Sequence, residues 1–132
     1  MGLRAIKFRG KSIESRKNGQ WIYGCYLSDH DGYSYHELIL DSTTGFSYEV
    51  DPITVSQFTG LYDKNGKEIY EGDILLVGND GYENTYNKVG IKDGCFGYIG
   101  EYSGELLPFC HYNVSEEIAG NIYDNPELIK EE

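Results

Sequence analysis

The chain has 132 residues, of which 39% are hydrophobic and 14% aromatic, and carries a net charge of −11. That length is one ordinary domain. The aromatic content excludes a disordered chain in spite of the charge, because disordered segments lack the aromatics a core needs.

Taken in chain order, the first segment, Met1 to Arg9, alternates charged with apolar residues and lacks the continuous apolar run of a signal peptide. Ile6 stands where a myristoylation signal opening at Gly2 would need Ser or Thr. No membrane span follows. Six of the 11 Lys and Arg residues lie in the first twenty positions beside a single acid, Glu14, which leaves five basic groups against 21 acids in the rest. Most of the molecule would therefore repel phosphate backbones. Arg4, Lys7, Arg9 and Lys11 beside Phe8 form the one basic and aromatic group a nucleic acid would want, and strand alternation is expected to divide it between two faces.

Asn18-Gly19, Asp31-Gly32, Asn65-Gly66, Asp80-Gly81 and Asp93-Gly94 are the dipeptides that tight hairpins select. Between them lie short runs with period-two alternation or β-rich composition. These are Arg4 to Phe8, Trp21 to Leu27, Tyr33 to Leu40, Phe46 to Val50, Val55 to Phe58, Ile74 to Val77, Val89 to Lys92, Cys95 to Ile99 and Glu117 to Ile122. Gly78 to Asn87 reads as a mobile polar loop. Gly60, Gly66 and Gly72 follow or sit inside turn signatures, where they serve backbone geometry. At the end, Asn125 can cap and Pro126 fits a first helical position, giving one short C-terminal helix. The expected fold is all-β: a small barrel or a two-lobed architecture of short antiparallel strands. Residues 1–132 form a single domain, with an internal seam near residues 52–60 as the alternative to one continuous sheet system.

Cys25, Cys95 and Cys110 are odd in number and lack the spacing of a disulfide framework, which points to a reducing, cytoplasmic setting. With His30, His36 and His111 they show no zinc-ligand spacing, and Cys110 and His111 would point to opposite faces of a strand. No metal or other cofactor is expected. His36-Glu37-Leu38-Ile39-Leu40 lacks the second histidine of a zinc-protease helix. Asp29-His30-Asp31-Gly32 and Asp63-Lys64-Asn65-Gly66 place their glycine too early for calcium loops and read as turns. Gly45 to Glu49 lacks the final glycine of a nucleophile elbow. The glycines at 94, 97 and 100 mark bends or close contacts, not a phosphate cradle. Glu68, Glu71 and Asp73 form a carboxylate cluster of the kind that general acid and base chemistry uses. Beside the chain's tyrosines, such carboxylates also suit a protein-binding surface.

Ile6-Lys7-Phe8-Arg9-Gly10 followed by Trp21-Ile22-Tyr23-Gly24 resembles the opening of the YopX family of phage and prophage proteins. Asp51 through Ile74, containing Gly60-Leu61-Tyr62-Asp63-Lys64-Asn65-Gly66-Lys67-Glu68-Ile69-Tyr70-Glu71-Gly72-Asp73, is similar to its central signature. Gly120-Asn121-Ile122-Tyr123-Asp124-Asn125-Pro126-Glu127-Leu128 resembles its closing one. Ser56 replaces an expected glycine, and Gly10-Lys11 stand where an aromatic often follows the arginine. The resemblance implies a β-rich fold and origin in a bacteriophage or integrated element, and brings no catalytic residues.

The expected function is that of a non-enzymatic accessory protein that binds a host or phage protein. Glu68, Glu71 and Asp73 belong to its contact surface, and a homo-oligomer is the variant in which the basic first segment meets the acidic body of another copy. The alternatives are a nucleic-acid-associated protein using the basic first segment, and an enzyme with a carboxylate site.

Overall fold

The computed structural model describes residues 5–79, 81–99, 104–109 and 114–129. Among them are eleven strands, three single turns of 3-10 helix and no α-helix. The all-β expectation holds. The chain divides into two compact units, Met1–Phe58 and Thr59–Glu132, and passes from one to the other inside a strand. The sheets are open, so the architecture is the two-lobed form and not the barrel. Among the described residues no helix is long and apolar enough to cross a membrane.

In the first unit, β1 (Phe8–Lys11), β2 (Trp21–His30), β3 (Tyr35–Asp41), β4 (Ser47–Glu49) and the start of β5 (Ser56–Tyr62) form antiparallel pairs in the order β4-β3-β2-β1-β5. Alternation turns Ile22, Ile39 and Tyr48 inward with Val50, and Phe8 and Val55 pack against them. Gly24 permits the close approach of β3, since a Cβ there would lie 1.8 Å from the Leu40 carbonyl oxygen.

The second unit contains the end of β5, then β6 (Glu68–Tyr70), β7 (Asp73–Asn79), β8 (Asn84–Lys92), β9 (Cys95–Ile99), β10 (Leu106–Pro108) and β11 (Glu117–Asn121). Its larger sheet runs β10-β9-β8-β7-β11. Ile69, Leu75, Val89 and Val114 make the core, with Leu61, Tyr98, Phe109 and Ile118 packed on it. Each fully buried apolar side chain of this size contributes about 1.5–3 kcal/mol. Gly72 has φ +89°, donates its N–H to the Val89 carbonyl at 2.8 Å and accepts from Ile122 N–H at 2.9 Å. Only glycine takes that left-handed backbone cheaply. Gly66 takes positive φ in its turn, whereas Gly60, also at positive φ, is corrected from a turn to a position inside β5.

The C-terminal helix is corrected to one 3-10 turn, Pro126–Leu128. Asn125 does not cap it, because its Oδ1 turns back to accept from Asn121 N–H at 3.2 Å. The loop expected over Gly78 to Asn87 is shorter: β7 reaches Asn79, β8 begins at Asn84, and the two asparagine side chains bond at 2.8 Å. The first strand starts later than expected, at Phe8, and Arg4 lies outside the described residues. Cys110 and His111 lie outside them as well.

Candidate functional site

The most exposed stretch of strand in the first unit is the outer part of the hairpin of β2 and β3, which we term the arm. From Cys25 to His30 every residue of β2 is exposed, although it stays in register with β3. Asp31-Gly32 closes the arm: Asp31 Oδ1 accepts from the N–H of Tyr33 and of Ser34, both at 2.9 Å, and Gly32 supplies φ +97°. This is the side-chain turn that aspartate favours. Cys25, Leu27 and Asp29 face the same side as their partners Leu40, Leu38 and His36, while Tyr26, Ser28 and His30 lie with Ile39, Glu37 and Tyr35 on the other.

Apolar surface follows from that geometry. Tyr33 at the tip is 97% exposed, Tyr35 73% and Leu27 47%. On one face the rings of His30 and Tyr35 stack at 4.3 Å, and Glu37 accepts the hydroxyls of Tyr26 and, at 3.1 Å, Ser28. The bond to Glu37, then burial, pushes the Tyr26 phenol above its ordinary value, because an O–H donated to a carboxylate is held in its neutral form.

On the other face, His36 stands between two carboxylates from different elements. Its Nε2 is 2.9 Å from Asp31 Oδ2 in the turn and 3.2 Å from Ser34 Oγ, and its Nδ1 is 3.0 Å from Glu49 Oε2 on β4. The bonds to Asp31 and then Glu49 raise the imidazole above its ordinary 6.5. Asp31 is lowered to about 2, by the Ser34 N–H first, then His36 and the Tyr33 N–H. Among the described residues no group of three or more His, Cys, Asp or Glu is arranged to hold a metal ion.

Glu68, Glu71 and Asp73, adjacent in sequence, are not equivalent in space. Asp73 is 2% exposed and its Oδ2 accepts the Tyr70 N–H at 2.7 Å, fixing the turn between β6 and β7. Glu68 is half-buried and accepts the Tyr70 hydroxyl at 3.0 Å, and Glu71 is half-buried on the turn itself. Another second-unit feature is a groove of about 450 Å³, lined in part by Lys64, Leu76, Asn79, Asn84, Glu116 and Glu117. Glu116 there accepts the Tyr98 phenol, which burial and that contact push far up. Hydrogen bonds from Ser115 and Tyr98 outweigh the effect of burial and hold Glu116 low, so the pair favours phenol and carboxylate.

In the described part of the basic group of the first segment, the cations and Phe8 meet different rings. Arg9 and Lys11 share one side of β1, with the guanidinium 4.4 Å and the ammonium 5.7 Å from the Trp21 ring centroid. Lys7 lies 5.9 Å from the Phe58 ring. Phe8, between Lys7 and Arg9, lies 5.5 Å from the Tyr26 ring. Residues two apart on a strand share a face, which brings Arg9 and Lys11 together on Trp21. Arg9 is 5% exposed, and the rings a nucleic acid would stack on already carry the chain's own cations.

A family model described as YopX protein matches residues 7–130, nearly the whole sequence. This chain belongs to the YopX family. From Lys7 onward, the opening, central and closing blocks that resemble the family thus lie in one match running through the segments between them. The arm falls inside it. Among solved structures, this YopX chain is similar to the crystal structure of protein EF1440 from Enterococcus faecalis, at 24% identity and a TM-score of 0.54. The similarity covers 97% of this chain and 100% of that one, and it concerns the fold. No curated protein matches the chain.

Proposed function

We propose that this YopX chain is a non-enzymatic accessory protein of a phage or prophage that works in the bacterial cytoplasm by docking on a basic protein partner. The observation that carries this reading is the arm. Its β2 strand is exposed on both faces from Cys25 to His30, and with the turn and the start of β3 it presents Tyr26, Leu27, Tyr33 and Tyr35 among Asp29, Asp31 and Glu37. Exposed apolar and aromatic side chains gathered on one element suit an interaction site, and tyrosine is enriched where binding energy concentrates. The net charge of −11 favours a basic partner and speeds the encounter. Glu68 and Glu71 extend the acidic character to the second unit, while Asp73 supports their turn from inside. That arrangement gives less support to a paired-carboxylate enzyme, since Asp73 is buried in a structural bond.

The test is affinity capture from bacterial lysate, followed by titration of the purified captured protein against wild type and a Leu27→Ser, Tyr33→Ser, Tyr35→Ser variant. Loss of three exposed anchors is expected to weaken binding at least about tenfold. Added salt weakens it further, and Glu68→Gln with Glu71→Gln has a smaller effect. Binding indifferent to the arm substitutions, or no specific capture by wild type, overturns the reading. Recovery of the chain itself alone replaces the basic partner by a second copy.

A further inference from the structure

We propose that His36 is a proton-operated latch that fastens the tip of the arm to β4, and that docking weakens once His36 loses its proton. The second half rests on the arm being the docking surface; the latch itself does not.

The geometry requires a particular ring. A neutral imidazole carries one N–H and one bare lone pair, so it can donate to only one carboxylate. Here both ring nitrogens meet carboxylate oxygens, Asp31 at 2.9 Å and Glu49 at 3.0 Å. Only the imidazolium satisfies both. The charged groups facing it are Asp31 from the turn, Asp29 directly opposite on β2, and Glu49 on β4. Ser34 Oγ adds a neutral contact, and Leu38 is the next β3 residue on that face. Glu49 is itself held in place, because its backbone N–H donates to the Glu14 carboxylate at 2.6 Å. The proton on His36 therefore joins a turn at the arm's tip to a strand that is separately anchored.

The direction with pH follows. His36 is raised above its ordinary 6.5, so the latch is complete below about 6.5 and is lost as pH rises through the higher folded-state value. On the acid side, Asp31 contributes fully above its ordinary 3.8 and is lost only as pH falls through about 2. The latch thus holds from mildly acidic to near-neutral pH. Its groups are partly open to solvent, so salt weakens it. Once it opens, Asp31 or Glu49 loses its donor, and the tip bearing Tyr33 and Tyr35 gains freedom that docking must remove again.

The test is a nuclear magnetic resonance titration of His36 over roughly pH 5 to 9 in wild type, Asp31→Asn and Glu49→Gln. It is joined by amide exchange at Ser34 and Tyr35 in wild type and His36→Gln, corrected for intrinsic rates. Expected are a wild-type midpoint above 6.5 that falls in each carboxylate variant, and tip exchange that quickens with deprotonation in wild type only. A midpoint at or below 6.5, or one unmoved by both variants, overturns the latch. For docking, affinity of the captured partner is expected to fall across the wild-type midpoint and stay level in His36→Gln. A pH-independent affinity beside a normal latch titration overturns the control of docking alone. Loss of the docking surface itself shows in the tyrosine variants, independently of the latch.

Discussion

Asp29-His30-Asp31-Gly32 in the first unit and Asp63-Lys64-Asn65-Gly66 in the second begin with the same chemistry. In each, one carboxylate oxygen gathers two backbone N–H groups: Tyr33 and Ser34 for Asp31, Asn65 and Lys67 for Asp63. The second oxygen decides what the turn becomes. That of Asp31 meets the half-buried His36, whereas that of Asp63 accepts the Ile118 N–H at 3.0 Å, from a residue 55 positions away on β11. One turn caps a solvated arm; the other ties a strand edge to a loop inside a unit. Local sequence makes the turn, and a single long-range bond determines whether the fold depends on it.

The largest expected effect sets the interior of the second unit against the arm. Leu75 on β7 is wholly buried in its core cluster, so Leu75→Ala should lower stability by about 2–5 kcal/mol in urea unfolding, combining lost burial with a cavity. Leu27→Ala, on the exposed arm, should stay within about 0.5 kcal/mol. Comparable losses at the two positions would show that the arm is packed in solution.

The next effect separates the two aspartates. Asp63→Ala leaves three backbone donors without their carboxylate, for about 3 kcal/mol, with unfolding midpoints as the measure. Asp31→Ala should cost clearly less, because water replaces its bonds. Acid sharpens the contrast. Burial pushes Asp63 upward, but the N–H groups of Ile118, Lys67 and Asn65 outweigh it and hold the carboxyl below its ordinary 3.8. Its contribution is complete above 3.8 and is lost as pH falls through the lower folded-state value. Asp63→Ala should therefore flatten the acid limb of the stability profile. An unchanged acid limb would remove Asp63 as the anchor.

Much of the fold was legible in the sequence because turns and alternation are local. Asp31-Gly32 places one hairpin, and Ile22 and Leu75 fall within expected strands and reach the cores. β6 and β10 were not legible, since strands of three residues are too short to display a period of two. The site was harder. Proximity in sequence grouped Asp73 with Glu68 and Glu71, yet the tight turn points Asp73 inward to the Tyr70 N–H. Asp31 and His36 lie five positions apart across an expected turn, a signal that they could meet. Glu49, on another strand, gave none. For Arg9 and Lys11 the pattern did contain the answer, because spacing by two places them on one side of β1.

The smallest expected effect on stability falls at the arm's tip, and it separates folding from binding. Tyr33 is almost fully exposed at the turn, and Tyr35 contributes mainly a stack on His30 at the surface. Neither lies in the buried cluster of Ile22, Ile39, Tyr48 and Val50 that holds the first unit together. Tyr33→Ser with Tyr35→Ser should thus leave thermal unfolding within about 0.5 kcal/mol of wild type, because the turn is made by Asp31 and Gly32 and not by the rings. The same substitutions are expected to weaken docking strongly, so the ratio of the two effects is the informative quantity. A large stability loss would mean that the rings pack within the molecule, and their exposure would no longer argue for a partner.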